Sequence, residues 1–143
     1  NDGAAAMVLM SRERAEKLGV PILARILHWA DGETEAMDFP RAPAIAVSKL
    51  LEKVGLGIER IDYWENNEAF ALTTLGFSRE MGISLDRVNL FGGAVSLGHP
   101  IGASGTRITG TLVHALKELN AGLGIASICN GGGGGSCVLI ENL

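Results

Sequence analysis

Two apolar segments, residues 123–129 and 136–141, are separated by five consecutive glycines, residues 131–135. Ordering a polyglycine run is entropically expensive, so a folded chain that keeps one needs positive φ there or a very close backbone approach. A phosphate cradle is a poor fit, because the Lys-Ser/Thr that completes a P-loop is missing and a strand, not a helix, follows. A set of backbone N–H groups aimed at an oxyanion beside Cys129 fits better. A lone cysteine at a strand end also reads as a buried apolar residue. Cys137, inside the last strand, is read as packing.

The rest of the chain alternates strand-like and helix-like segments, the pattern of a layered α/β domain. Residues 4–10 read as a buried strand. Ser11 caps a short helix that Gly19 ends, and residues 22–29 form a second apolar run. Residues 31–43, with Gly32, Pro40 and Pro43, read as a loop. Residues 44–53 are helical, 61–65 form a short strand, and 68–81 are helical again. Residues 88–97 are expected as a strand and bend, and 101–119 as the longest helix, broken by Gly122.

At 143 residues, with 47% hydrophobic and 20% charged residues, the chain is long enough to bury a core. No apolar segment reaches membrane-spanning length. A net charge of −4 argues against a dedicated nucleic-acid surface, so neither a nucleic-acid nor a membrane partner is expected. Two cysteines suggest a reducing compartment and no disulfide framework. The chain opens at Asn1 and runs straight into an apolar stretch, which reads as an internal strand of a longer protein.

Two further segments lie where a strand hands over to a helix, the usual place for a site in an open α/β sheet. In Asn66-Asn67-Glu68-Ala69-Phe70-Ala71, an asparagine is either a helix N-cap or a donor to a water or carbonyl oxygen; both hold if the two asparagines divide the labour. In Gly98-His99-Pro100-Ile101-Gly102-Ala103-Ser104-Gly105, proline suits the first helical position. That puts His99 beside the positive end of the helix dipole, where a neutral ring is favoured. Such a ring can accept a thiol proton or donate to a developing oxyanion. His28 and His114 have no comparable setting and read as surface or helix-face residues.

Taken in order, Asn1-Asp2-Gly3-Ala4-Ala5-Ala6, Asn67-Glu68-Ala69-Phe70-Ala71, Gly92-Gly93-Ala94-Val95 through Ser104-Gly105, and Cys129 with its glycines resemble the thiolase family along essentially the whole chain. The resemblance implies a C-terminal thiolase domain over residues 21–143. Residues 1–20 would be the last strand and helix of an N-terminal thiolase domain. The implied fold is a mixed five-stranded sheet with helices on both faces.

It further implies that His99 activates a nucleophilic cysteine and helps bind the thioester oxygen, and that Asn67 holds a water in the same oxyanion site. Cys129 would be the acid/base at the α-carbon of acetyl-CoA, and the Gly131 N–H part of a second oxyanion hole. Ala69 and Phe70 would contact the CoA substrate. No cofactor is required, although potassium bound by the Val95 carbonyl is implied. The implied reaction is condensation of two acetyl-CoA to acetoacetyl-CoA, and its reverse. A longer-chain 3-ketoacyl-CoA thiolase and a non-catalytic acyl-CoA-binding module are the alternatives. The implied partners are the N-terminal domain and further copies in a homodimer or homotetramer, in the mitochondrion or, alternatively, the cytoplasm. Nothing in these residues matches the family's nucleophile, so the chain is expected to be inactive alone.

Overall fold

The computed structural model describes residues 1–143. Helix α1 (Arg12–Leu18) starts where the Ser11 hydroxyl accepts from Arg14 N–H at 3.2 Å and ends at Gly19, whose φ is 64°. Strand β1 (Ala24–Glu33) leads through a 3-10 segment, Ala36–Arg41, into α2 (Ala42–Val54), which ends at Gly55 in the left-handed region. The expected loop over 31–43 is therefore mostly regular. Pro43, read as a breaker, instead sits in the first turn of α2, where its missing N–H costs nothing.

Strand β2 (Tyr63–Asn66) is followed by α3 (Ala71–Met81) and a one-turn helix α4 (Ala94–Leu97). The long helix α5 (Ile101–Glu118) then precedes strands β3 (Leu123–Cys129) and β4 (Gly134–Asn142). The sheet has the order β1-β4-β3-β2. Strand β4 is antiparallel to both neighbours, and β2 runs parallel to β3. It is mixed, as expected, but has four strands and not five.

Residues 88–97 account for the missing strand, and residues 4–10, expected as a strand of the N-terminal domain, form none either. Residues 4–10 are exposed and irregular; a strand needs a neighbour for its N–H and C=O groups, and this chain offers that segment none. At 88–97 the pairing stops after one bridge between Val88 and Trp64. Asn89 takes φ 50° and turns the chain away, while Gly93 and Gly98 bracket α4. Similarly, α5 ends before Asn120, which has φ 51°, so the terminator is that asparagine and not Gly122.

Helices cover both faces of the sheet. On one face α2 and α3 bury Val47, Leu50 and Phe77 against Trp64, Ile125 and Leu139. On the other, α5 packs Ile108, Leu112 and Leu116, at helical spacing, against Tyr63, Ala126 and Ile140. Gly124 in β3 makes room for α5: a Cβ there would lie 2.5 Å from the Leu112 side chain. Several large apolar side chains stay exposed, including Trp29 on the β1 edge, Met37, and Leu72 and Leu75 on α3. No helix is long and apolar enough to cross a membrane.

Candidate active site at the carboxyl ends of the parallel strands

The parallel pair β2 and β3 ends at Asn66 and Cys129, the edge at which open α/β sheets place ligands. Helix α5 runs back along the sheet into β3, so its N-terminal turn, with His99 just before it, belongs to the same end.

The two asparagines at the end of β2 do divide the labour, but neither caps α3. That helix starts three residues later than its expected beginning at Glu68, after Phe70, an N-cap with no side-chain bond. Asn66 is a clamp: its Nδ2 donates to Ser127 Oγ at 2.9 Å, and its Oδ1 accepts from Thr74 Oγ1 at 3.0 Å. Asn89 closes the clamp by accepting from Asn66 N–H at 2.9 Å and donating to Asn66 O at 2.8 Å.

Asn67, only 1% exposed, is fixed through its backbone. Its N–H donates to Ser127 O at 2.9 Å, and its carbonyl accepts from Thr73 Oγ1 at 3.1 Å. Its side chain is thereby free to face α5. Asn67 Nδ2 stands 3.5 Å from His99 Nε2.

The other ring nitrogen, His99 Nδ1, lies 2.6 Å from Ser104 Oγ. Ser104 is fully buried and its hydroxyl donates to Pro100 O at 3.2 Å. With its proton spent there, the hydroxyl accepts from Nδ1–H. The lone pair then sits on Nε2, facing the Asn67 donor. This tautomer presents a base at Nε2, with an N–H donor beside it.

Cys129 is buried and free of disulfide. It stands two residues beyond Ser127, whose carbonyl anchors Asn67, and its thiol joins no hydrogen bond to Asn67 or His99. Burial pushes the thiol above its ordinary range, so it rests as S–H.

The glycine turn beside it explains itself locally. Asn130 Oδ1 accepts from Gly132 N–H and Gly134 N–H, both at 3.2 Å, and Gly133 N–H donates to Asn130 O at 3.2 Å. Gly131 N–H alone in that turn has no partner. Gly133 has φ 88° and packs on Thr34 O, and a Cβ on Gly135 would run into the Ala42 carbonyl carbon and lie 2.7 Å from Pro43 N. The run therefore serves both readings: close approach of the α2 entrance, and one N–H left free beside Cys129.

The remaining expected positions lie around the rim. Ala69 N–H donates to Asn67 O at 3.0 Å, and Phe70 is exposed, 6.3 Å from the Phe39 ring. Val95 is exposed; its N–H donates to Glu68 Oε2 at 3.0 Å and its carbonyl accepts no hydrogen bond. Glu68 Oε1 also accepts from Asn89 Nδ2 at 3.0 Å, so one carboxylate ties the Asn67 loop to the loop before His99. No three His, Cys, Asp or Glu side chains cluster as a metal site.

Sequence reasoning gave no role to Ser104, Asn130, Glu68 or Arg107. Only Asn130, the side chain just before the glycines, offered a local signal for its part, an Asx-type turn. Beneath the site lies Glu65, 1% exposed, which accepts from Tyr63 Oη–H at 2.7 Å. Burial raises it to about 7, with the Tyr63 bond and the Arg107 charge opposing and Glu68 adding to the rise.

Comparison with known proteins accords with this geometry. The family model for the thiolase C-terminal domain matches residues 20–142. The mitochondrial acetyl-CoA acetyltransferase A of Xenopus laevis is 57% identical over all 143 residues, which cover 34% of that protein. The cytosolic acetyl-CoA acetyltransferase of Gibberella zeae is 47% identical over the same span, 36% of its length. A thiolase of Ascaris suum solved in complex with coenzyme A superposes with a TM-score of 0.87 at 48% identity, covering 93% of this chain and 34% of that one. The chain thus spans about a third of the length of the relatives it matches.

Proposed function

The chain belongs to the thiolase family, and on that premise we propose that it supplies the acid/base half of an acetyl-CoA C-acetyltransferase site. The reaction is the condensation of two acetyl-CoA to acetoacetyl-CoA and CoA, with thiolysis as its reverse. The observation that carries this reading is the pair of contacts on the two nitrogens of His99. Ser104 occupies Nδ1, Asn67 Nδ2 faces Nε2, and Cys129 and the free Gly131 N–H lie at the same end of the sheet.

In this reading His99 Nε2 takes the proton of a nucleophilic thiol that another part of the full-length protein provides. Asn67 Nδ2, through the water it holds, and the protonated His99 then donate to the thioester oxygen of the second acetyl-CoA. Cys129 gives its proton to the CoA thiolate that leaves as the acyl-enzyme forms; the thiolate left behind then removes the α-proton, and the enolate that forms is held by those donors. An α-proton of a thioester is weakly acidic, so both the base and the oxyanion donors are needed. Gly131 N–H donates to the carbonyl oxygen of the acyl-enzyme. Ala69 and Phe70 flank the substrate.

Without a nucleophile of its own, the chain is inactive alone. The N-terminal thiolase domain and a second copy cover the exposed apolar side chains, a role that Trp29, Leu72 and Leu75 support. The unbonded Val95 carbonyl suits one ligand of a potassium ion; a single neutral oxygen does not make a site, so no step depends on it. A mitochondrial location is the preferred reading, from the mitochondrial relatives.

Acetoacetyl-CoA thiolysis by the full-length protein tests the proposal. Cys129→Ala is expected to lower kcat by about 10²–10⁴-fold, the usual worth of a general acid/base. Wild-type protein that binds acyl-CoA without turning it over refutes the reading in favour of a binding module.

A further inference from the structure

Ser104 and Arg107 are three residues apart on α5, hence on one face of the helix. Ser104 holds His99. Arg107 Nη2 lies 3.4 Å from Asn67 Oδ1, across 40 residues of sequence. We propose that Arg107 is a positioning residue that locks the Asn67 amide in the one orientation that points its NH2 at His99. This inference rests on the reading of Asn67 and His99 as a donor and base pair.

An asparagine amide is nearly symmetric in shape, and rotating it by half a turn exchanges an acceptor for a donor at almost no steric cost. The backbone contacts of Asn67 fix where its side chain starts but not which way the amide faces. Arginine has N–H donors and no acceptor, so it tolerates only Oδ1 on its side. The flipped amide would set N–H against N–H at Arg107 and a lone pair against a lone pair at His99 Nε2.

The guanidinium is well suited to the task. Its Nε and Nη1 are buried with no protein partner, and no carboxylate forms a salt bridge with it. Asn67 is its one protein hydrogen bond, so the contact is not the by-product of an ion pair. Glu65 lies near enough for their charges to interact and offsets part of the cost of burying the cation. Helix α5 thus sets the two reacting side chains from one rigid face: the serine selects the ring tautomer, and the arginine selects the amide flip.

A double-mutant cycle in the full-length protein tests this. Arg107→Met is expected to lower kcat for acetoacetyl-CoA thiolysis about 10-fold or more, with KM within about twofold, since an oxyanion donor is worth roughly 10²–10³ and is here misdirected, not removed. In an Asn67→Ala background the same change should cost less than about twofold, because nothing is left to orient. Equal losses in both backgrounds, or a change in KM alone, would overturn the proposal. If the methionine variant does not fold, Arg107→Gln, whose amide can donate or accept and so selects neither orientation, carries the same cycle with the same criteria. A wild-type measurement stands apart from activity: with asparagine labelled by 15N, the Asn67 side-chain NH2 protons should show nuclear Overhauser contacts to the His99 ring. An NH2 group with contacts to Arg107 and none to that ring refutes the orientation. Absent turnover by wild type, with the ring contacts present, refutes the enzyme reading and leaves the orientation standing.

Discussion

Replacing Glu65 by glutamine should stabilise the protein, and only at high pH. The carboxylate is 1% exposed and flanked by Tyr63, Arg107 and Glu68. Burial dominates and raises it from 4.5 to about 7, so the folded protein keeps a proton that the unfolded chain has released. Its contribution to stability is therefore full below pH 4.5 and is lost as pH rises through 7. At roughly 1.4 kcal/mol for each tenfold in proton affinity, the ionised carboxylate costs on the order of 3 kcal/mol in alkaline solution. Glutamine keeps an oxygen to accept from Tyr63 Oη–H and never ionises. Urea unfolding of the full-length protein and its Glu65→Gln variant, at about pH 4 and about pH 9, should show near equality at the first and a gain of about 3 kcal/mol at the second. A variant destabilised at about pH 9, or displaced equally at both values, would refute the reasoning. The attraction between Glu65 and Arg107 would then outweigh the cost of burial.

Two other substitutions probe separate parts of the site. Ser104→Ala frees His99 Nδ1, so kcat should fall about 10-fold, and 15N shifts of the labelled imidazole should report a mixture of tautomers; an unchanged spectrum would remove the serine from the mechanism. Gly135→Ala should destabilise by about 1–3 kcal/mol, read as a fall in Tm, because its methyl group would press on the Ala42 carbonyl carbon at the start of α2.

Elements whose signals are local were legible in the sequence. Ser11 and Gly19 bound α1 as expected, α2 covers the helix expected over 44–53, and β3 has the limits its apolar run suggested. Failures came where a neighbour decides. Residues 4–10 have strand composition but no strand to pair with. Val88 begins a pairing that Asn89 ends by taking φ 50°, a conformation that asparagine tolerates and a hydrophobicity pattern does not record.

The site divides in the same way. Asn67, His99 and Cys129 were recognisable as residue types at strand and helix junctions, and the structure brings the first two within 3.5 Å. The helix-cap alternative for Asn67 failed because α3 begins only after Phe70, three residues further on. Arg107 could not be found from spacing, since its contact with Asn67 exists only once α5 has packed on the sheet.

The order of the strands also governs how the protein is made. Strand β4 lies between β1 and β3, and Ala24 at the start of β1 pairs with Asn142. During synthesis β1 therefore emerges with its partner still untranslated, and its edge waits unpaired for more than a hundred residues, about five to twenty seconds at ordinary elongation rates. Pairing so remote in sequence makes closure slow, and the waiting edge is open to aggregation. Removing β4 alone would strip β1 and β3 of their shared neighbour at once. The loss of that one strand would thus act on the whole sheet, and a chain lacking it would be expected in the insoluble fraction of an expressing cell.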